Sequence, residues 1–234
     1  MRKEWRWRVL KDVAKWVLPN YRLQWPQMVW WEDEEFNAFL KHFHEYGGYN
    51  TDRRWMIHEL SKLALNVPGD TAECGVMEGS SSYLICKRLN RTHYMFDSFE
   101  GCSAPGEGDS GFFPKNTLSV PIEVVKENFA KFPNAVIMPG WIPDRFPEIQ
   151  DRRFAFVHID VQQAQPTKDS LEFFYPRMNP GGVIVMDDYG FTICPGARKV
   201  IDEFMGDKPE PVIATSTASA FIIKGVRKDP ARNT

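Results

Sequence analysis

The chain of 234 residues has only four cysteines, Cys74, Cys86, Cys102 and Cys194, and no two form a CxxC pair. That excludes a zinc finger and argues against a disulfide framework. Cys74 and Cys86 stand in apolar segments and read as buried thiols. No apolar run approaches the roughly 18 residues of a membrane-spanning helix. No cleavable leader is visible, because the basic, Trp-rich N-terminus is broken by charges. An excess of one charge is also missing: 29 Lys plus Arg face 31 Asp plus Glu, a formal net charge of -2. A protein held to nucleic acid by bulk charge is usually basic, so that class is demoted. Internal repeats and low-complexity tracts are absent too. The expectation is a soluble, cytoplasmic protein of a reducing compartment, with no transmembrane segment and no nucleic-acid partner.

At 43% hydrophobic and 26% charged residues the composition is that of a globular protein with a sizeable core. The length suits one α/β domain plus an extension. Residues 1–51 read as a helical extension. Six of the eight tryptophans fall there (Trp5, Trp7, Trp16, Trp25, Trp30, Trp31), and Trp5, Val9, Val13, Trp16 and Val17 share one helical face. Such a face packs on the main domain or a partner subunit, or lies on an anionic membrane. A homo-oligomer formed through this region is expected. Pro19 and Pro26 break the pattern, and the acidic residues 32–35 open a second helix that runs to about Tyr46, before Gly47 and Gly48.

From residue 52 to 225 strand-like and helix-like segments alternate, and 226–234 read as a tail. A helix is expected over 53–65. Strands are expected at 71–76, 93–96, 135–138, 154–159 and 183–186, each short, apolar and bounded by turn residues. Helices are expected at 80–89, 122–132, 168–175 and 195–205. Two last strands, 212–215 and 220–223, are close enough to pair as an antiparallel hairpin. The fold class is therefore α/β, an open and mostly parallel sheet with helices on both faces. Residues 103–113, rich in Gly and Ser, read as a mobile loop over the site.

Ligands of such sheets bind at the carboxyl ends of the strands. After the first strand comes Glu73-Cys74-Gly75-Val76-Met77-Glu78-Gly79-Ser80-Ser81. Its glycines permit close backbone approach, and its serines offer hydroxyls at a helix start. The spacing is not GxGxxG, which weakens a nicotinamide or flavin assignment. Glu73 suits an ammonium or sulfonium charge, although a glycine turn without a ligand fits the same residues. Asp97-Ser98 ends the second strand, where an Asp accepts from ribose hydroxyls or caps a turn. Gly140-Trp141 offers a flat surface to an adenine or belongs to the core. Asp160 follows the fourth strand, and Asp187-Asp188 follow the fifth. Adjacent carboxylates ionise together more readily around a cation, and three of them suit a hard divalent ion such as Mg²⁺ better than zinc. His158 reads as a satisfied core histidine.

The blocks ECGVMEGSSS (73–82), FDSFEG (96–101), FVHIDV (156–161), PGGVIVMDDYG (180–190) and CPGARKVIDEF (194–204) together resemble the macrocin and mycinamicin type of sugar O-methyltransferases, over roughly residues 52–225. The resemblance implies a class I methyltransferase fold, a Rossmann-like seven-stranded sheet with a C-terminal antiparallel hairpin. It also implies S-adenosylmethionine and Mg²⁺ as cofactors, and an acceptor hydroxyl on a sugar-bearing or polyhydroxylated natural product. Glu73, Gly75, Gly79, Ser80 and Ser81 would hold the methionine moiety, with Asp160 beside it. Asp97 would take the ribose, and Ser98, Gly140 and Trp141 would lie near the adenine. Asp160, Asp187 and Asp188 would hold the metal, and Asp160, Asp187 and position 162 would serve catalysis.

One departure stands out. The resemblance implies an aspartate as general base at position 162, but this chain has Gln162, followed by Gln163-Ala164-Gln165 without the usual aromatic. Glutamine cannot accept a proton at neutral pH, and losing a positioned base costs about 10²–10⁴ in rate. Metal activation of the acceptor would then carry most of the load, or the acceptor would be more acidic, such as a phenol or an enol. A cofactor-binding homologue with lost or altered catalysis stays open, as does a glycosyltransferase that uses the paired aspartates.

Overall fold

The computed structural model describes residues 4–17, 29–45 and 50–228. The breaks expected at Pro19 and Pro26, the helix end from Tyr46 to Gly48 and most of the tail lie outside the described residues. The chain divides into two compact units, residues 1–42 and 43–234.

In the first unit, α1 (Glu4–Val17) presents an exposed apolar face that includes Trp5, Val9, Val13 and Trp16. A short 3-10 turn, Val29–Glu32, precedes α2 (Glu34–His42). Helix α2 starts there because the Asp33 carboxylate accepts the free Phe36 N–H at 2.8 Å, and Glu34 and Glu35 favour the positive end of the helix dipole.

The second unit opens with α3 (Asn50–Leu60), which tightens into a 3-10 turn at Ser61–Ala64 where one continuous helix was expected. Then follow β1 (Asp70–Cys74), α4 (Ser80–Leu89), β2 (His93–Asp97), α5 (Ile122–Asn128), β3 (Ala135–Pro139) and β4 (Phe154–Ile159). The chain continues with α6 (Ala164–Phe174), β5 (Met178–Met186), α7 (Pro195–Met205), β6 (Ile213–Ala214) and β7 (Ala220–Ile223). The sheet order is β3-β2-β1-β4-β5-β7-β6. β1 to β5 run parallel, and β7 runs antiparallel to both β5 and β6. Strand order reverses between β1 and β4, which opens a crevice beyond their carboxyl ends.

Several boundaries differ from those expected, among them the end of β1 at Cys74 and of α5 at Asn128, and for two others the reason is visible. β5 begins at Met178 because Pro180-Gly181-Gly182 is not a turn: Gly181 N–H donates to Lys224 O and Lys224 N–H to Gly182 O, both at 2.8 Å. α6 begins at Ala164 because Pro166 sits in its first turn, where no N–H bond is needed, and Asp109 accepts the Ala164 N–H at 2.9 Å.

One face of the sheet packs Phe96, Phe154, Val157 and Ile184 against α6 and α7, and the other packs Phe156, Val183 and Val185 against Ile57, Ile85 and Leu89 of α3 and α4. All six residues of β4 are buried, as a central parallel strand requires. The four cysteines are free and buried. Phe174 is fully buried, with rings of Phe96, Phe146, Phe154 and Phe173 set edge-on within 6.1 Å. Phe174→Ala should therefore cost about 3–5 kcal/mol. A urea-unfolding midpoint close to wild type would show that this aromatic cluster is not what holds α6 to the sheet.

Candidate functional site

The crevice between β1 and β4 holds a cavity of about 230 Å³. Glu73, Gly75, Ser80, Asp97, Ser98, Trp141, Asp160 and Gln162 line it, together with Arg54, Met77 and Leu118. Gly79, Ser81, Gly140, Asp187 and Asp188 do not reach its wall.

The strand ends approach so closely that only glycine fits at position 75. Its φ is +83°, and a Cβ there would stand 1.9 Å from the Asp160 carbonyl oxygen. Asp160 N–H donates to Cys74 O at 2.9 Å, the last link between β1 and β4. Gly79, at φ +89°, turns the chain into α4 against Phe129, whose ring a Cβ would strike at 2.4 Å, so backbone conformation and packing both call for glycine.

Asp97 holds the turns. Its Oδ2 accepts the N–H groups of Val76 (2.8 Å) and Met77 (2.9 Å), and its Oδ1 accepts that of Phe99 (2.7 Å). A carboxylate offers about four acceptor positions, so one at Oδ1 stays available to a hydroxyl in the cavity. Ser98 Oγ accepts from Glu100 N–H at 3.1 Å and donates to Gly101 O at 3.2 Å, shaping the neighbouring turn.

Glu73 is committed to the interior. Its Oε1 accepts from His158 Nδ1 at 2.8 Å, and its Oε2 accepts the Ser82 hydroxyl proton. Ser82 has then only its oxygen to offer His93 Nε2 (2.8 Å), and His93 Nδ1 meets the Thr71 hydroxyl (2.8 Å). His93 is thus a neutral imidazole, satisfied on both sides. Burial first, and repulsion from His158 second, hold its pKa down at about 3. His158 is a core histidine of another kind, with Nε2 at 3.1 Å from Asp187 Oδ2. Burial opposes its charge, but Asp187 and Glu73 outweigh burial and push its pKa up to about 10.

Asp160, Asp187 and Asp188 come together as the sequence predicted, and around a guanidinium. Arg53 Nη2 lies 2.5 Å from Asp187 Oδ2, 3.3 Å from Asp160 Oδ1 and 3.7 Å from Asp188 Oδ1. Burial opposes ionisation of Asp187, yet Arg53 and His158 outweigh it and hold that carboxyl below the usual range. Burial, and then Asp160, push Asp188 well above it. Among the described residues, ligand atoms of His158, Asp160 and Asp187 lie within 4.8 Å of one another. Carboxylate oxygens gathered on one positive centre are the donors a hard divalent cation takes; a protonated imidazole is not. The oxygens of Asp160, Asp187 and Asp188 are of the kind a hard divalent cation such as Mg²⁺ takes, and Arg53 Nη2 lies among them.

Gln162, at φ +57°, places its side-chain amide on Asp160 Oδ1 at 2.7 Å, and its backbone N–H reaches Asp188 Oδ2 at 3.2 Å. It acts as a donor to the cluster. The loop 103–113 is pinned: Ser103 exchanges hydrogen bonds with the Gln163 amide, Asp109 takes the Ala164 N–H, and Ser110 Oγ donates to Ile193 O.

Sequence reasoning missed Arg53, Arg54 and Glu45. Arg54 is buried, donates Nε to both oxygens of Glu45 (3.1 and 3.0 Å) and Nη1 to Ser81 Oγ (2.6 Å); Ser80 Oγ also donates to Glu45, at 2.9 Å. The available signal was periodicity: Arg53 falls four residues before Ile57 and seven before Leu60, on the stripe of α3 that faces the core. A charge on that stripe must find a partner.

A family model described as macrocin-O-methyltransferase (TylF) matches residues 57–221. An 8-demethyl-8-(2,3-dimethoxy-alpha-L-rhamnosyl)-tetracenomycin-C 4'-O-methyltransferase of Streptomyces olivaceus is 32% identical over 62% of this chain and 60% of its own length. A demethyldecarbamoylnovobiocin O-methyltransferase of Streptomyces niveus is 30% identical over 59% of each. The chain thus spans about three-fifths of these curated relatives. The solved O-methyltransferase NovP superposes with a TM-score of 0.65 at 26% identity, over 74% of this chain and 80% of that one. The common architecture is the class I methyltransferase fold, including the reversed C-terminal strands. No helix among the described residues is long and apolar enough to cross a membrane.

His93 supplies a pH test. Between pH 6.5 and about 3 the unfolded chain binds a proton that the folded His93 refuses, so stability falls as pH drops through that window. His158 does not contribute there, since it is protonated in both states below 6.5. His93→Gln should flatten the stability–pH curve by up to about 1.4 kcal/mol per pH unit relative to wild type. Parallel curves from urea unfolding would refute the buried neutral histidine.

Proposed function

The chain belongs to the macrocin-O-methyltransferase family, and from that premise we propose that it moves a methyl group from S-adenosylmethionine to a hydroxyl of a sugar-bearing or polyhydroxylated small molecule of the natural-product type, with Mg²⁺ as second cofactor. The observation that carries this proposal is the adjacency of a cavity at the β1/β4 crevice and a carboxylate cluster that Asp160 connects to it. One named relative acts on a rhamnosyl-tetracenomycin and another on demethyldecarbamoylnovobiocin, and the rhamnosyl group of the first supports a glycosylated acceptor.

The sulfonium methyl is already an activated electrophile, so the protein has to bind, align and remove one proton. Asp97 offers its remaining acceptor position to a ribose hydroxyl, and Trp141 offers the adenine a flat wall. Glu73, which gives one acceptor position of each oxygen to His158 and Ser82 and lines the cavity, would place its negative charge near the sulfonium. Asp160, Asp187 and Asp188 would hold the divalent ion, which supplies Lewis acidity that lowers the pKa of the acceptor hydroxyl. Gln162 orients Asp160 by donating to it. Asp160 is the one carboxylate of the three that lines the cavity, and so is best placed to take the hydroxyl proton. The extension of residues 1–51 is assigned to lid and subunit contacts, and the acceptor pocket to the loops over the cavity.

Gln162 favours a second reading, a cofactor-binding homologue with lost or altered catalysis. Calorimetry with S-adenosylmethionine, followed by labelled-methyl transfer across a panel of glycosylated and phenolic acceptors, separates the two. Turnover should fall by about 10²-fold or more with EDTA or Asp187→Asn, and rise with Gln162→Asp. Cofactor binding without transfer across the panel establishes the second reading. Transfer indifferent to chelation removes the metal, and failure to bind the cofactor ends both.

A further inference from the structure

We propose that Arg53 is a resident counter-cation of the acidic cluster and that a divalent ion entering the cluster exchanges with it; this rests on the metal assignment made above. Asp160, Asp187 and Asp188 surround Arg53, while the two other cations nearby are shared with further carboxylates: Arg54, at 3.9 Å from Asp160 Oδ2, with Glu45, and His158, beside Asp187, with Glu73. Arg53 is the resident cation that faces all three of these carboxylates, so it is the one with which a metal ion would compete for their oxygens.

The three residents are not held equally. His158 is clasped between Glu73 and Asp187. Arg54 spends Nε on both oxygens of Glu45 and Nη1 on Ser81. Arg53 is attached chiefly through one nitrogen: Nη2 serves all three carboxylates, Nη1 reaches Asn50 Oδ1 at 3.2 Å, and the buried Nε has no hydrogen-bond partner. An arginine recognising a carboxylate for its own sake uses the fork of two parallel N–H groups. This one instead sets a single nitrogen, with its two hydrogens, among the oxygens of three carboxylates, the place a metal ion would take. The two occupancies exclude each other. Mg²⁺ needs its oxygens at about 2.0–2.1 Å, and a proton-bearing nitrogen 2.5 Å from Asp187 Oδ2 covers that lone pair. Phe191 offers the displaced guanidinium a seat, since its ring centroid is already 5.2 Å from the Arg53 Cζ.

Exchange predicts that removing the Arg53 charge strengthens metal binding. Mg²⁺ titrated calorimetrically into chelator-treated protein should bind Arg53→Gln about tenfold tighter than wild type, while Arg53→Lys, which keeps the charge, stays near wild type. The thermal midpoint of Arg53→Gln should lie below wild type in EDTA and recover with Mg²⁺. Should Arg53→Gln not fold, the unaltered protein gives the answer: phenylglyoxal labelling of Arg53, followed by mass spectrometry, should be several-fold faster with Mg²⁺ than with EDTA. Affinity in Arg53→Gln equal to or weaker than wild type, or labelling indifferent to Mg²⁺, overturns the exchange and leaves the metal assignment standing. Absence of Mg²⁺ binding in both wild type and Arg53→Gln overturns the metal assignment and the exchange together.

Discussion

At the crevice, the Asp160 N–H to Cys74 O bond carries β1 and β4 side by side to their last residues, and Gly75 is the one residue whose lack of a side chain lets them stay there. The other parts of the site take their positions from this approach. It sets the turn whose N–H groups Asp97 gathers, and it delivers Asp160 to the cavity wall. It also lays Glu73 beside its register partner His158, so that the two buried side chains meet. A larger residue at position 75 would separate the strands and, with them, the wall of the cavity from the charges behind it.

Those charges fall into connected groups. Gln162 donates to Asp160, with Arg54 3.9 Å from it; Arg53 and His158 hold Asp187; and Glu73, Ser82, His93 and Thr71 form a hydrogen-bonded chain. Buried polar groups are tolerable only when each has a partner, and this arrangement meets that condition at nearly every atom. Two of its buried nitrogens have no hydrogen-bond partner: Arg53 Nε, and His158 Nε2, which has only its charge contact with Asp187 Oδ2 at 3.1 Å.

How much of this the sequence disclosed depended on the kind of signal. Strands such as Phe154–Ile159 and Ala220–Ile223, and the helices Ser80–Leu89 and Pro195–Met205, were legible to the residue because apolar runs end at Gly, Pro or Asp. The acidic strand ends Asp97, Asp160 and Asp187-Asp188 were legible by position in an open α/β sheet. Gln162 stood out only against a family pattern. Pro180-Gly181-Gly182 misled, because a sequence of turn residues gives no hint of the strand pairing that accepts it. Arg53, Arg54 and Glu45 were invisible as a group: their meeting with the cluster is made by the packing of α3 on the sheet, which no local pattern encodes. His158 was seen as core, but its ionic partners come from two other strands.

The anchoring of loop 103–113 has a further consequence. Its fastenings at Ser103, Asp109 and Ser110 all fall on the starts of α6 and α7 or the chain just ahead of them, and Gly196 lies so near that a Cβ would meet Asp109 Oδ1 at 2.6 Å. The loop and both helix starts are thereby a single mechanical piece. Ser103 is the residue of this loop that lines the cavity, so changes in length or composition between the fastenings would be absorbed within the loop while the cavity wall and the scaffold keep their frame.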